Sequence, residues 1–271
     1  MKRKVSLLGI LLATLLLLTS IKVDAASGTD WENYSVTATG SGIAPAGSRG
    51  AQARVLARRA AIVDAQRQLA EALNGVQVDA ETTVEQLVVT SDIVRTRVSA
   101  TLKGAKVISE GFSADGAYEV TMALPMFGTG GVAQAVLPKP AQTVPFPTPK
   151  PEQGSTTITV TVSGGYTGVV IDCRGFGVNP VMSPVIKDAT GTKIYGHENL
   201  DYDRVISEGM ASYAHDMSQA SRAGSNPLVI KAIRMENHNA NPVLSLDDAN
   251  RLLLENNSDG FLSRTAVVFL Y

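Results

Sequence analysis

The sequence predicts an α+β protein of two small domains, each an antiparallel sheet with helices on one face, joined by a proline-rich linker. Three observations carry that reading. Alternating β-rich runs mix with segments of helical period in both halves of the chain. Tight-turn triplets, Ala114-Asp115-Gly116 and Ala189-Thr190-Gly191, each separate two such runs. Between the halves, "PKPAQTVPFPTPKPEQGS" holds six prolines from Pro138 to Pro151. Alternating proline forbids helix and removes ladder donors. The expected boundaries are 1–25, 26–137, 138–155 and 156–271. At about 3.1 Å per residue the strap spans roughly 40 Å, which makes it a spacer holding the domains apart.

Residues 1–25 read as a signal peptide. Lys2, Arg3 and Lys4 form the positive end, "VSLLGILLATLLLLTSI" the apolar run, and Val23 and Ala25 the small residues before a cleavage point at Ala26. An uncleaved anchor competes, because the apolar run reaches the lower length that spans a bilayer; the cleavage pattern favours export to the periplasm or cell envelope. No cysteine follows the run, so there is no acceptor for a lipid anchor. Of the chain's 24 basic and 25 acidic residues, this segment takes four and one, leaving 20 against 24. That balance argues against nucleic acid as a partner, which calls for a basic domain. Cys173 is the one cysteine, so no disulfide forms within the chain. Its approach, "GVVIDC", suggests a buried thiol acting as a small hydrophobe.

In the first half, "YSVTATGSGIAP" is a strand running into a turn. Ser48 to Leu73 is helical and stops at Asn74-Gly75 as at a left-handed cap. "VQVDAETTVEQLVV" reads as a strand or extended arm. "SDIVRTRVSATL" is a shorter helix with Ser91 and Asp92 as candidate N-caps. "AKVISEGFSADGAYEVTMALPM" is a hairpin. In the second half, "TTITVTVS" and "YTGVVIDC" are strands, and "VMSPVIKD" and "KIYG" form a hairpin. "DYDRVISEGMASYAHDMSQASR" reads as one helix ended by Ala223-Gly224, and "NPLVIKAIRM" is β-rich. "SLDDANRLLLEN" is a helix capped by Ser245 with Asp247 and Asp248 in its first turn. "SRTAVVFLY" is a closing strand; the chain lacks the roughly eight or more alternating strands of about ten residues that a membrane β-barrel needs.

The long first helix decides the first domain. On a wheel, Val55, Ile62, Leu69 and Leu73, flanked by Leu56, Val63 and Ala70, make an apolar stripe. Arg54, Arg58 and Arg67 fall away from it, and Asp64–Arg67 and Arg67–Glu71 stand at pairing distances. The reading is a core helix with a solvated charged face, set against the alternative of a basic binding surface.

"ARRAAIVDAQRQLAEALNGVQVDAETTV" resembles the signature of the twenty-kilodalton envelope lipoprotein family, which has flagellar outer-membrane-associated proteins among its relatives. The pattern rests on Ala57, Ala60, Ala61, Asp64, Ala65, Arg67 and Leu69, then Gly75-Val76, and continues into "KVISEGFSADGAYEVTMAL". It covers about residues 34–125. The resemblance implies an envelope location, an α+β domain and structural or assembly roles rather than catalysis. The chain departs from it in lacking a lipidation cysteine. The second half, in "GVVIDCRGFGVNPVMSPVIKDATGTKIYG" and "AGSNPLVIKA", resembles an exported module of unknown function.

No catalytic, cofactor-binding or metal-ligating residue is assigned, and no cofactor. His197, His215 and His238 have no paired-ligand spacing. "DATG" at Asp188–Gly191 is a turn, Gly175 and Gly177 make a lone G-x-G, and Asp201 and Asp203 suit a helix start. Asp172 beside Arg174 reads as a structural pair, with a functional acid as the alternative. The expected function is that of a non-catalytic envelope protein, partnered by itself as a homo-oligomer or by envelope proteins, and at most peripheral to a membrane. The rival is an exported module binding cell-wall glycan or a small ligand, which calls for a pocket with several aromatics; Trp31 is the one tryptophan.

Overall fold

The structure, a computed structural model, describes residues 28–151 and 162–271. The expected signal segment and most of the expected strand "TTITVTVS" lie outside the described residues.

In the N-terminal module four strands, β1 (Gly28–Asp30), β2 (Ser35–Gly42), β3 (Lys106–Phe112) and β4 (Tyr118–Pro125), form an antiparallel sheet ordered β1-β2-β4-β3. Its helices are α1 (Gly50–Asn74), α2 (Val84–Thr90), α3 (Asp92–Lys103) and the short α4 (Val132–Val136). Strand β2 alternates as a half-buried strand does, with Val36, Ala38, Gly40 and Gly42 turned inward. Helix α1 crosses that face, but its buried seam is Ala57, Ala61, Ala65, Leu69 and Leu73. The expected stripe is therefore displaced: Val55 and Val63 are 64% and 61% exposed. The cause is the sheet. A Cβ on Gly40 would lie 2.0 Å from the Ala65 nitrogen, and one on Gly42 2.2 Å from the Ala57 oxygen. Backbone meets backbone here, so only alanine fits between them, and the larger aliphatics turn outward.

Two further expectations are corrected in this module. Gly75 ends α1 in a right-handed conformation, φ −76° and ψ −8°, donating its N–H to the Leu73 carbonyl; no left-handed cap forms. The expected arm at 84–90 is a helix, because Thr83 and Gln86 make a reciprocal capping box: Thr83 Oγ1 accepts from the Gln86 N–H, and Gln86 Oε1 accepts from the Thr83 N–H. Ser91 caps α3 as read, accepting from the Val94 N–H. The β3–β4 hairpin turns at Gly116, φ 87°.

The C-terminal module contains β5 (Gly168–Asp172), β6 (Ile186–Asp188), β7 (Lys193–Tyr195), α5 (Tyr202–Glu208), β8 (Ser212–Ala214), β9 (Pro227–Lys231), β10 (Arg234–Glu236), β11 (Asn241–Leu244), α6 (Leu246–Asp259) and β12 (Val267–Leu270). The α+β class holds, and the strand directions differ from expectation. The sheet ordered β8-β12-β5-β9 is parallel throughout, and in the sheet ordered β10-β11-β6-β7 the β11–β6 pair is parallel. "GVVI" and "VVFL" are buried on both faces, and continuous apolar runs are what such strands require. The expected helix from 201 to 222 stops at Glu208. Gly209 follows at φ 77°, with the Phe127 ring where a Cβ would stand 2.9 Å away, and the chain then enters β8. Arg222 closes the break, donating to the carbonyls of Glu208, Gly209, Ala211 and Thr265.

The proline strap does not hold the modules apart. Val144 donates to the Glu198 carbonyl at 2.7 Å, Phe146 stacks parallel to Tyr195, and Lys150 exchanges two hydrogen bonds with Asn250. The strap lies along the C-terminal module, which leaves the modules free to touch. Met182 and Ser183 donate to the carbonyls of Gln77 and Val78, the Trp31 ring meets Tyr213 edge-on at 5.7 Å, and one apolar core runs through both modules.

Candidate interaction site

The N-terminal sheet has two edges with different fates. The β1 edge faces the C-terminal module, where Glu32 lies 3.4 Å from His215 and the Tyr34 hydroxyl donates to the Ala211 carbonyl. The β3 edge is uncovered. All seven of its residues are exposed, including Val107, Ile108 and Phe112, and its pairing with β4 slips at a bulge between Val107 and Ser109. Beside it, Arg58 of α1 reaches Glu110 at 2.7 Å and Arg54 lies over the Phe112 ring. Val55 and Val63 on α1, and Val89 and Ile93 at the α2–α3 corner, add exposed aliphatics to the same module. The outer side of β3 is thus an unpaired sheet edge, blunted by its bulge and by the charged Lys106 and Glu110.

Residues 30–124 match the LPP20 lipoprotein family.

The resemblance read from the Ala57–Leu69 pattern and the hairpin is thus borne out, and the LPP20-like module contains the β3 edge and all of α1. Residues 168–271 match the second domain of Treponema pallidum Tp0624. No curated protein matches the chain. LPP20 is a lipoprotein family, not a known enzyme family, and it supports association with the cell envelope.

The candidate chemical groups do not assemble in either module. Arg174 grips Asp172 through both carboxylate oxygens, at 2.9 and 2.7 Å, and the guanidinium holds that carboxyl below the usual range. No described contact joins a histidine to this pair; His215 follows β8, which β12 separates from β5. The His215 ring lies tilted against Tyr271, centroids 4.5 Å apart, and His238 Nδ1 meets the Ala80 carbonyl. His197 is half-buried, burial lowers its pKa, and its Nε2 finds no hydrogen-bond partner among the described residues. Burial pushes the Cys173 thiol up to about 12, which suits packing and not nucleophilic attack. Asp188 accepts from the Thr190 and Thr192 N–H groups and the Thr190 hydroxyl, closing the turn its spacing predicts. Asp201 caps α5 by accepting from the Arg204 N–H. Among the described residues no three His, Cys, Asp or Glu side chains gather as a metal site, and no helix is long and apolar enough to cross a membrane.

Sequence reasoning missed the clefts between the modules, one of which, of about 610 Å³, is lined by Tyr34, Tyr213 and Arg222. A second cleft, of about 580 Å³, opens between the Asp79–Thr82 turn, Pro138 and Pro140 of the strap, and Lys187, Lys193 and His197. Asn237, which also lines it, begins three consecutive left-handed residues, Asn237, His238 and Asn239. The signal was in "ENHNANP", since asparagine and histidine are the side chains that tolerate this conformation best. No phenylalanine, tyrosine or tryptophan lines the cleft.

Proposed function

We propose that this chain is a non-catalytic exported envelope protein with a structural or assembly role, in which the LPP20-like module associates with copies of itself or docks on an envelope scaffold, flagellar assemblies among them. The uncovered β3 edge, seven exposed residues long, carries this reading. The C-terminal module, bound side by side to the first, braces it from the opposite edge. In-cell crosslinking of a tagged chain in fractionated envelopes tests the reading. Self-crosslinks, or links to outer-membrane or flagellar components, are expected; a soluble, uncrosslinked chain with a strictly monomeric mass at high concentration would refute it. The clefts between the modules favour a second reading, a binding module for cell-wall glycan or a small ligand; the one at the Asp79–Thr82 turn has no aromatic platform for a sugar ring, and the one of about 610 Å³ is lined by Tyr34 and Tyr213. Titration with soluble cell-wall fragments distinguishes the two.

A further inference from the structure

The cleft at the Asp79–Thr82 turn takes opposite charges from the two modules. The N-terminal module contributes two carboxylates, Asp79 and Glu81, and the C-terminal module two ammonium groups, Lys187 and Lys193. One group of each kind is tied down. The Asn237 amide nitrogen donates to Glu81 at 3.0 Å, and its amide oxygen accepts from Lys187 at 3.0 Å. Lys187 also reaches Glu236 at 3.1 Å. With the His238 ring on the Ala80 carbonyl, these bonds hold the left-handed run that Asn237 begins, so this side of the cleft is preformed. The other two groups keep spare capacity. Asp79 Oδ1 accepts from the Glu81 N–H, and among the described residues no contact engages Oδ2. Lys193 has only Glu198, another residue of the lining, at 3.8 Å, which is too long for a hydrogen bond. Among the described residues no ion pair joins Asp79 to Lys193, although both line one cleft.

The cleft volume, about 580 Å³, lies within the roughly 300–1,000 Å³ of sites that enclose small ligands. Its lining selects by charge. A polyanion meets Asp79 and Glu81, a polycation meets the two lysines, and a neutral sugar finds no phenylalanine, tyrosine or tryptophan to lie on. A molecule with an ammonium at one end and a carboxylate at the other satisfies both, through charge-assisted hydrogen bonds. A single amino acid would leave most of the space to water, whereas a few linked residues fill it. We infer, within the binding-module reading, that this cleft binds a short zwitterionic peptide across the two modules, its amino end on Asp79 and its carboxyl end on Lys193, where it displaces Glu198. Such end contacts sit in an open cleft, so salt weakens them.

The test is titration calorimetry of the chain, recovered from a producing cell, with trialanine, its N-acetyl form, its C-terminal amide and the peptide blocked at both ends. Trialanine is expected to bind at least tenfold more tightly than either singly blocked form, and the doubly blocked peptide most weakly. Asp79→Asn keeps the Oδ1 acceptor for the Glu81 N–H and should no longer distinguish trialanine from its N-acetyl form. Lys193→Met, at an exposed position, should no longer distinguish trialanine from its amide. An unchanged thermal midpoint certifies that each variant folds, and the blocked peptides test the wild-type chain without any substitution. Equal affinity for all four peptides, no binding of trialanine at millimolar concentration, or free alanine binding as tightly as trialanine overturns the inference. Soluble cell-wall fragments separate the two levels: if they bind where trialanine does not, the binding-module reading stands and the zwitterionic peptide fails, and if neither binds, both fail.

Discussion

Gly40 of β2 lies so close to Ala65 of α1 that a single methyl group on the glycine would stand 2.0 Å from the Ala65 backbone nitrogen. This contact sets the depth at which the long helix sits on its sheet. It also explains why alanines at every fourth position form the buried seam while valines face outward.

Gly40→Ala is therefore expected to destabilise the chain by at least about 3 kcal/mol, at the severe end of overpacking, because the obstructing atoms are backbone and cannot rotate away. Gly111→Ala, in open space on β3, is the control and should change stability by less than about 1 kcal/mol. Urea denaturation of both variants decides it. Equal midpoints would mean that the helix can lift off the sheet at little cost.

Arg222 holds together the point where α5 ends and β8 begins. Replacement by methionine keeps most of the side chain's bulk and leaves the carbonyls of Glu208, Gly209, Ala211 and Thr265 without their common donor. A loss of about 2 kcal/mol or more is expected, the range for charge-assisted bonds to partly buried acceptors. A thermal midpoint within a degree of wild type would show that water replaces the guanidinium freely.

Asp64 links the helix to the sheet in a pH-dependent way. The Ser41 N–H, and then Arg67, lower its pKa in the folded chain. A carboxyl depressed on folding contributes stability that is fully present above its unfolded value, near pH 4, and is lost as pH falls through the folded value. Asp64→Asn should therefore be less stable than wild type at neutral pH, with the two urea midpoints converging below about pH 4. A gap between them that stays constant down to about pH 2.5 contradicts this assignment.

Cys173 gives a readout of unfolding that needs no added probe. The thiol is buried, and burial raises it to about 12, so a maleimide near neutral pH should leave the native chain unlabelled and modify it fully in denaturant. Rapid stoichiometric labelling of the native chain would instead place the thiol at an accessible, activated position.

Much of the architecture is local and was legible for that reason. The hairpin about Ala114-Asp115-Gly116, the Ser91, Asp201 and Ser245 caps and the Asp188 turn each depend on side chains a few residues from the backbone they satisfy. The Thr83/Gln86 capping box was equally local, and was obscured by the β-branched run around it. The alanine signature at 57–69 identified the first module without revealing which side of the helix is buried, because periodicity cannot see Gly40 and Gly42 on another element.

The sequence by itself determined the α+β class, the two modules, the position of the proline segment and the relation of the first module to envelope lipoproteins. Tertiary structure alone decided that the strap lies along the C-terminal module, that the second module's central sheet is parallel, that the helix from Tyr202 ends at Gly209, and that Val55 and Val63 of α1 face outward. These outcomes depend on residues far apart in the chain, such as Gly40 against Ala65, Gly209 against Phe127 and Arg222 against Thr265. The physical reason is that steric exclusion and hydrogen-bond satisfaction act between neighbours in space, and only the folded chain determines which residues those are.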